Sequence, residues 1–248
     1  MQQLSMPYSK VRYVYDDLDR SRFAVWVRMA NLVGMRIVDL VLVVLAFPIL
    51  LPLFLLIAIA IRCDSEGPVF FVQERVGARP QLKDGQLMWT VTPFRMIKFR
   101  SMVHNADQSL HQEHIKQFVQ GTVKAAEDTN AAVKIAQDPR ITRVGHILRK
   151  SSMDELPQLL NVLRGDMSLV GPRPVPLYEV AEYQEWHFER LAALPGLTGL
   201  WQIEGRGQVS FEEMVGMDVA YVRQQSLWLN IKILAKTPFA VLSGRGAA

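Results

Sequence analysis

Two adjacent carboxylates, Asp154 and Glu155, stand in a stretch of the sequence, Asp138 to Pro174, that is rich in arginine. The apolar residues after the pair have the spacing of a short amphipathic helix, which is expected to end near Gly165. Pro157 lacks a backbone N–H and therefore fits only the first turn of that helix. The candidate N-cap residues are Ser151, Ser152 and Asp154. Both carboxylates are therefore expected at the positive end of a helix, where anions are favoured.

The basic residues around this pair decide between two interpretations of it. Acidic residues in a first helical turn are common caps, so the pair alone favours a structural role. Guanidinium groups, however, bind phosphate oxygens with two parallel hydrogen bonds, and carboxylates beside them stay ionised. Six basic residues flank the pair closely: Arg140, Arg143, Arg149, Lys150, Arg164 and Arg173. The stretch therefore predicts a phosphate-handling site whose carboxylates bind a divalent metal or attack phosphorus.

The composition limits the classes of function. The chain has 248 residues, half of them apolar, which is enough for one large domain or two small ones. Its net charge of +4 suits an anionic membrane surface or phosphorylated substrates. The sequence has no long basic run or nucleic-acid motif, so nucleic acid is not expected as a partner. The single cysteine, Cys63, excludes a disulfide framework and an all-cysteine metal site, and fits a reducing cytoplasm.

An uncharged run of 22 residues from Leu40 to Ile61 is the second organising feature. It follows a mixed lead-in, residues 1–35, that has no signal-peptide pattern. As a straight helix the run is about 33 Å long, enough to span a bilayer core. Pro48 and Pro52 each remove a helical hydrogen bond, and both flanks are basic, so a broken helix that enters and leaves by one face also fits. The pattern favours the two topologies equally, because proline is tolerated in membranes.

Two residues before this run are expected at the membrane surface. Asp39 is too costly to leave in hydrocarbon and is expected to pair with a neighbouring arginine such as Arg36. Trp26 is a candidate interfacial anchor, because its ring is apolar and its indole N–H is polar.

Two segments after the run, residues 67–77 and 90–102, are rich in β-branched and aromatic residues. The polar loop between them contains Asp84-Gly85, so they predict a hairpin-like pair of strands. Four basic residues on them suit either phosphates and lipid headgroups or a solvated strand face, namely Arg75, Arg95, Lys98 and Arg100. Further along, the glycine-punctuated residues 195–207 offer a ligand two polar contacts and a stacking surface, namely Gln202, Arg206 and Trp201.

Three further segments predict helices. Residues 104–128 are polar and helix-compatible, and a surface helix is favoured over a metal site made by His111 and His114. Residues 177–194 predict a helix that stops at a Pro-Gly pair. In residues 211–242 the last segment alternates apolar residues with lysine. That pattern suits a helix on a membrane surface and a helix packed in the core about equally well.

Five long motifs resemble those of the bacterial sugar transferases, also called monotopic phosphoglycosyl transferases, and occur in the same order. They are GPVFFVQERVG, KFRSM, DPRITRVGHILRKSSMDELPQLLNVLRGDMSLVGPRP, PGLTGLWQIEGRG and a terminal LSGRGA. The resemblance covers most of the chain, from Arg36 to the C-terminus, and several ordered motifs are far more specific than one short pattern. Members of this family begin glycan assembly on a polyprenyl carrier.

The resemblance implies a helix-rich α+β fold: a monotopic membrane protein with a proline-broken re-entrant N-terminal helix and a small β-hairpin element. The expected parts are an N-terminal lead-in (1–35), the re-entrant helix (36–62) and a cytoplasmic catalytic domain with membrane-surface helices (63–248). Pro48 is the first choice for the break and Pro52 the second. The implied location is the cytoplasmic face of the bacterial inner membrane.

The implied reaction moves a sugar-1-phosphate from a UDP-sugar to polyprenyl phosphate, usually undecaprenyl phosphate, and releases UMP. It starts exopolysaccharide, capsule or O-antigen assembly. Asp154 is the implied nucleophile, which forms a covalent phosphosugar intermediate, and Glu155 helps to hold Mg²⁺. Substrate phosphates are expected at Arg149 and Arg173, with further contacts from Arg140, Arg206 and Gln202. Elementary chemistry agrees, because two anionic substrates reach an anionic nucleophile only if cations neutralise the charge, and a carboxylate nucleophile predicts ping-pong kinetics.

The expected partners are the UDP-sugar, the polyprenyl phosphate, the lipid bilayer and, in a homodimer, a second copy of the chain. Residues 78–95 and 105–137 are longer than the connections of a minimal family member, and Asn230 stands where many members carry an acidic residue. Two alternatives remain. One is a non-catalytic scaffold for glycan assembly, which the intact acidic pair argues against, and the other is a bitopic enzyme with a true spanning helix. No readable motif encodes the transferred sugar or the polymer.

Overall fold

The computed structural model describes residues 12–14, 22–122, 138–205 and 209–242. Its helices are α1 (Arg22–Asp64), α2 (Ser109–Val119), α3 (Arg143–Lys150), α4 (Gln158–Arg164), α5 (Leu177–Val180), α6 (Leu200–Glu204), α7 (Phe211–Gln224) and α8 (Leu227–Leu242). Its strands are β1 (Arg12–Val14), β2 (Phe70–Lys83), β3 (Gln86–Phe99), β4 (Ser168–Val170) and β5 (Gly196–Thr198). The first 3₁₀ helix is Met153–Glu155 and the second is Glu185–Leu191. The predicted helix-rich α+β fold with a long apolar N-terminal helix is confirmed.

The antiparallel hairpin of β2 and β3 is confirmed and is longer than predicted. Each strand has 14 residues, and their pairing is continuous from one end to the other. The two-residue turn, Asp84 and Gly85, has φ values of 53° and 76°. A turn with two positive φ angles matches the right-handed twist of its strands, so it closes the hairpin without splaying it. β1 adds a third strand beside β3.

Helix α1 is a single 43-residue helix that contains Pro48 and Pro52, and the predicted break is not confirmed. One face packs on the rest of the protein, with Val43 and Ile57 buried on either side of the prolines. The other face exposes large apolar side chains, among them Ile37, Leu45, Ile49, Leu51, Leu55 and Leu56. Among the described residues, one segment, Val25–Asp64, is long and apolar enough to cross a membrane. An exposed apolar face of this extent suits contact with lipid.

Two charged residues attach the first half of α1 to the rest of the fold. Arg36 donates hydrogen bonds to the backbone carbonyls of Val162 and Leu163, at the negative end of α4. Asp39 accepts a hydrogen bond of 3.1 Å from the backbone N–H of Leu169 in β4. The predicted direct ion pair between Arg36 and Asp39 does not form. Each side chain instead satisfies a backbone group of another element, which offsets the cost of burying it.

The main core lies where α1, the hairpin, α4, α7 and α8 meet. Its buried members include Val43, Trp89, Met96, Val162, Tyr221 and Ile233. β4 and β5 form a short parallel pair that contributes to this core. Asn230 is buried and accepts a hydrogen bond of 2.9 Å from the Tyr221 hydroxyl. A neutral amide suits this surrounding, because a buried carboxylate would need a cationic partner.

Two predictions about the C-terminal half are wrong. Residues 177–194 do not form one helix, because α5 and the second 3₁₀ helix lie there with an interruption between them. The second 3₁₀ helix places Arg190 in the interior, where its guanidinium lies 2.5 Å from the Asp218 carboxylate. Trp201 is not a stacking surface, because it is 6% exposed and packs against apolar side chains of α2 and α7.

Helix α8 combines the two alternatives predicted for it. Ile233 is buried in the main core, whereas Trp228 and Phe239 are exposed. The Lys232 ammonium lies 5.2 Å from the centre of the Trp228 ring, within the range of a cation–π contact. One face of α8 therefore packs in the core, and the other has the aromatic and basic composition of a membrane-surface helix.

Candidate active site

Asp154 and Glu155 lie in the first 3₁₀ helix, between α3 and α4, and not in the first turn of α4 as predicted. Ser152 has a left-handed backbone conformation, φ 59°, which separates α3 from the 3₁₀ helix. α4 then begins with Pro157 as its N-cap and ends at Gly165, whose φ is 82°. The predicted end of the helix is confirmed. None of the three predicted N-cap residues holds that position in α4.

Contacts with the end of β3 hold the helices on either side of the acidic pair. Asn161 in α4 is fully buried, its Oδ1 accepts a hydrogen bond of 3.0 Å from the Ile97 N–H, and its Nδ2 donates one of 2.8 Å to the Arg95 carbonyl. Gly145 in α3 lies directly against Ser101, where a Cβ would overlap the backbone carbonyl oxygen. Both helices are therefore fixed to the same strand end, and the acidic turn between them is fixed as well.

Glu155 is half-buried and lies between two cations. Its Oε1 is 3.3 Å from the Lys98 ammonium and 3.7 Å from the Arg173 guanidinium. β3 supplies Lys98, and the loop after β4 supplies Arg173. Burial lowers the pKa of Lys98, and the charge of Glu155 opposes this effect. These two charge-assisted contacts hold the Glu155 carboxylate in one orientation.

Arg149, at the C-terminal end of α3, brings a third cation to the acidic pair. Burial lowers the pKa of Arg149, and the nearby charges of Asp154 and Asp138 raise it. Its buried Nε has no hydrogen-bond partner in the part of the chain that the structure describes. A buried guanidinium N–H without a protein acceptor is suited to a bound anion such as phosphate.

The acidic pair lies on the wall of a cavity of about 480 Å³. Five of the predicted site residues line this cavity, namely Asp154, Glu155, Arg140, Arg149 and Arg173. Arg75 and Lys98 add positive charge to the wall, while aromatic and aliphatic side chains line the rest. Its volume lies within the range of pockets that bind small molecules. The cavity therefore combines a charged region for phosphate with apolar surface for another part of a substrate.

The remaining predicted contacts relate to the cavity in different ways. Arg140 is held by Asp138 through hydrogen bonds of 2.8 and 2.6 Å, and it also donates to the backbone carbonyl of Asp107. Its guanidinium is thus largely occupied by the protein itself. Gln202 lines a small pocket that shares several residues with the cavity, and its buried Oε1 has no partner among the described residues. Arg206 lies outside the described residues.

The structure decides between the alternatives for the basic residues of the hairpin. Lys98, Arg75 and Arg100 line the cavity, whereas Arg95 is exposed. Arg100 donates to the backbone carbonyls of Ser65 and Glu66, just after α1, and so has a structural contact. The alternation of side chains along a strand does not separate these roles. Lys98 and Arg100 are two positions apart and are therefore expected on the same face. The sequence signal for Lys98 is its place in the KFRSM motif.

A histidine–tyrosine pair, which no sequence pattern indicates, also lines the cavity. His111 Nδ1 lies 2.7 Å from the Tyr178 hydroxyl. Burial, followed by the charge of Arg75, lowers the pKa of His111 to about 4, so this imidazole is neutral at pH 7. Of the residues 104–128 for which a surface helix was predicted, α2 covers Ser109–Val119, and its His111 lines the cavity. The pair adds uncharged polar groups to the cavity wall.

The donors of the acidic pair fit Mg²⁺ as an ion shared with a substrate. Mg²⁺ in phosphate-handling sites is bound by one or two carboxylates together with water and substrate phosphates, and Asp154 and Glu155 match that set. No group of three or more His, Cys, Asp or Glu side chains able to hold a metal occurs in the described ranges. The residues therefore suit an ion that arrives with a phosphorylated substrate, and not an all-protein metal site.

Comparison with known proteins decides the family. The profile of the bacterial sugar transferase family matches residues 30–244. The chain belongs to the bacterial sugar transferase family. The predicted family is confirmed, and the chain is therefore a transferase, which decides against the non-catalytic scaffold.

Three relatives show how this bacterial sugar transferase compares with other members. The exopolysaccharide production protein ExoY of Sinorhizobium fredii is 39% identical, over 87% of this chain and 88% of that protein. The UDP-galactose-lipid carrier transferase of Erwinia amylovora is 41% identical, over 86% of this chain and 41% of that protein. The undecaprenyl-phosphate galactose phosphotransferase of Salmonella typhimurium is 40% identical, again over 86% and 41%. The chain thus spans most of the first relative and about two fifths of the other two.

Proposed function

We propose that this sugar transferase moves a sugar-1-phosphate from a UDP-sugar to a polyprenyl phosphate, such as undecaprenyl phosphate, and releases UMP. The names of two relatives support these substrates, since one is a UDP-galactose-lipid carrier transferase and the other an undecaprenyl-phosphate galactose phosphotransferase. The ExoY relative supports a role in exopolysaccharide production. The structural observation that carries the proposal is the acidic pair on the wall of a cavity lined by several basic side chains.

In the proposed first step, a carboxylate oxygen of Asp154 attacks the phosphorus that carries the sugar. A bond forms between this oxygen and the phosphorus, the bond from phosphorus to the bridging oxygen breaks, and UMP leaves with the electron pair. Arg149 and Arg173 neutralise the charge on the phosphate oxygens. Arg149 is suited to this role because its buried Nε has no acceptor among the described residues. The product is a covalent aspartyl phosphosugar.

In the second step, a phosphate oxygen of the acceptor attacks the same phosphorus, and the bond to Asp154 breaks to restore the carboxylate. Donor and acceptor react in turn, so ping-pong kinetics are expected. Glu155 remains beside the nucleophile, oriented by Lys98 and Arg173. When bound, Mg²⁺ supplies further neutralisation of phosphate charge, and Glu155 is the residue that would hold it.

The proposal includes a monotopic placement on the cytoplasmic face of the bacterial inner membrane. Both ends of the uncharged segment of α1 contact the same domain. Before the segment, Asp39 accepts a hydrogen bond from Leu169, and after it, Asp64 accepts one of 2.9 Å from the Val144 N–H. A segment that crossed a hydrocarbon core of about 30 Å would place its ends on opposite sides. The two anchors therefore favour a re-entrant helix whose exposed middle enters the lipid.

A panel of UDP-sugars, each supplied with undecaprenyl phosphate and Mg²⁺, tests the proposed reaction. UMP release is expected from one or a few of them. Isotope exchange between UMP and that UDP-sugar is expected without any acceptor, because a covalent intermediate makes the first step reversible on its own. No UMP release from any UDP-sugar would contradict the proposed function.

The variant Asp154→Asn tests the nucleophile. It is expected to abolish both UMP release and exchange, because an amide does not replace the carboxylate as a nucleophile. The matched control is Asp84→Asn in the hairpin turn, where asparagine also accepts the positive φ. The control is expected to keep both activities. Exchange at the wild-type rate in Asp154→Asn would contradict the mechanism.

A further inference from the structure

A row of phenylalanine rings connects the middle of α1 with the cavity that contains Asp154. The ring centres of Phe47 and Phe54 are 6.4 Å apart, and those of Phe54 and Phe99 are 5.1 Å apart. Phe99 stacks on Phe70 with the ring centres 5.5 Å apart. Phe47 lies within the uncharged segment of α1, and Phe70 lines the cavity. This phenylalanine row leads from the uncharged segment of α1 to the cavity whose wall includes the proposed nucleophile.

The row ends at the cavity in an exposed apolar lip. Phe70 is 42% exposed, and the next two residues of β2, Phe71 and Val72, are each 40% exposed. Val103, also on the cavity wall, is 48% exposed, while Phe99 beneath Phe70 is buried. Core packing does not account for several exposed apolar side chains at the rim of a charged cavity. A patch of this kind at a pocket marks a surface for an apolar ligand.

A polyprenyl phosphate has the two chemistries that this surface offers. Its phosphate requires the cations beside Asp154, and its branched hydrocarbon chain requires apolar contacts away from water. The row begins on α1, whose apolar face meets lipid in the proposed membrane placement, and it ends inside the cavity. A nucleotide-sugar has no comparable hydrocarbon chain. The lip therefore fits the acceptor and not the donor.

We propose that the isoprenoid chain of the acceptor lies over the lip and runs from Phe70 to Phe47, the two ends of the row, and that this contact directs its phosphate to Asp154. The inference rests on the proposed function and states how the same site recognises its second substrate. Phe70 contacts the isoprene units nearest the phosphate. Phe47 contacts units further along the chain, so a short chain does not reach it.

Acceptors of two lengths and two single variants test this order. Phe70→Ala is expected to raise KM about tenfold for both undecaprenyl phosphate and the short geranyl phosphate, because one buried phenyl contact is lost in each case. Phe47→Ala is expected to raise KM about tenfold for undecaprenyl phosphate alone. Neither variant is expected to change acceptor-free exchange between UMP and the UDP-sugar, which reports an intact fold and donor site.

The matched control is Leu82→Ala, at the other end of β2, where the side chain is also exposed. It is expected to leave every KM unchanged. A similar rise in KM for Leu82→Ala would assign the effect to general lipid contact and overturn the inference. Unchanged KM values in Phe70→Ala would also overturn the inference. A loss of UMP exchange in Phe70→Ala would assign the ring to binding of the donor and would overturn the inference as well. A wild-type enzyme that releases no UMP from any UDP-sugar in the presence of undecaprenyl phosphate would instead remove the proposed function itself.

Discussion

The two neighbouring acids of the site have different surroundings at the scale of single residues. Oε1 of Glu155 lies within 3.7 Å of both Lys98 and Arg173. The charge of Asp154 raises the pKa of Arg149 and, less than Glu155 does, the pKa of Lys98. Cations in contact with a carboxylate fix its direction, which suits a group that positions a metal or a phosphate. These contacts agree with the proposed role of Glu155 as the supporting residue, and the proposed role of Asp154 as the nucleophile follows from the family resemblance.

Glu155→Gln tests this division of roles. The variant is expected to lower kcat by about 100-fold or more, because Lys98 and Arg173 lose the charge that orients them and a metal loses a ligand. The Mg²⁺ concentration for half-maximal UMP release is expected to rise. Glu74→Gln, an exposed glutamate on β2, is the control and is expected to behave as wild type. An unchanged Mg²⁺ dependence in Glu155→Gln would remove Glu155 from the metal site.

His111 gives a prediction about stability and pH. Burial and the charge of Arg75 lower the pKa of His111 to about 4, below its usual value of about 6.5. Between these values the unfolded chain binds a proton that the folded chain excludes, so stability falls as the pH drops from about 6.5 to about 4. The loss attributable to His111 is about 2 kcal/mol at pH 5.

His111→Gln removes this proton uptake while keeping a polar group near Tyr178. The unfolding temperature, measured in detergent at about pH 7.5 and pH 5, is expected to fall less in this variant than in wild type. His146→Gln, which replaces an exposed histidine, is expected to show the wild-type decrease. Equal decreases in wild type and His111→Gln would show that the imidazole is not kept neutral by the fold.

At the scale of elements, the parts that the sequence predicts are those with local signals. The Asp84-Gly85 turn predicts the hairpin because few residues accept two positive φ angles. Gly165 marks the end of α4 in a similar way, because glycine readily adopts the positive φ of a helix C-cap. The first 3₁₀ helix is not predicted, because it depends on a left-handed Ser152, a conformation that serine does not signal.

The convergence of the site cannot be read from local signals. Lys98 comes from β3, Arg149 from α3 and Arg173 from the loop after β4, so their meeting depends on long-range packing. Arginine density predicts a phosphate site in the central stretch, and the order of the motifs predicts the family. Neither shows which basic residue faces the cavity. Trp201 illustrates the limit, since a glycine-rich loop suggests exposure and the packed structure buries the ring.

Gly145→Ala tests how α3 positions Arg149. The added Cβ would overlap the carbonyl oxygen of Ser101, so α3 must shift, and Arg149 one turn later shifts with it. UMP release is expected to fall by about tenfold or more, since small displacements of charged groups weaken transition-state contacts. Gly216→Ala in α7 is the matched control, because its Cβ would meet open space. It is expected to keep full activity and to gain about 0.5–1 kcal/mol of stability.

Activity in Gly145→Ala is best measured together with the unfolding temperature. A variant that unfolds at the wild-type temperature but loses activity would show that the position of α3 matters to catalysis itself. Full activity in Gly145→Ala would contradict the close approach of α3 to the segment after β3.

At the scale of the whole molecule, the long apolar helix α1 is tied to the elements on either side of the acidic pair. Arg36 and Asp39 contact α4 and β4, which lie after the acidic pair, and Asp64 contacts the start of α3, which lies before it. The two ends of the uncharged segment are thus tied to the elements on either side of the site. A re-entrant segment with such anchors would hold the acidic pair at the level of the lipid headgroups, where the phosphate of a membrane-bound acceptor lies.

The double variant Pro48→Ala with Pro52→Ala tests this arrangement. Each substitution restores a backbone N–H and its helical hydrogen bond, so the segment is expected to straighten toward a spanning helix. The measurement is labelling of Ser5→Cys by a membrane-impermeant maleimide, in a Cys63→Ser background that removes the single native cysteine. With the prolines present, the label is expected only from the cytoplasmic side, and in the double variant also from the periplasmic side.

Pro238→Ala is the matched control, because this proline lies inside α8 and not in α1. It is expected to keep cytoplasmic labelling. Periplasmic labelling with both prolines present would favour the bitopic alternative and remove the re-entrant placement. Unchanged labelling in the double variant would contradict only the inference that Pro48 and Pro52 prevent a spanning helix. The hydrogen bonds of Asp39 and Asp64 would then be the remaining cause of the topology, because they tie both ends of the segment to one domain whatever its helical geometry.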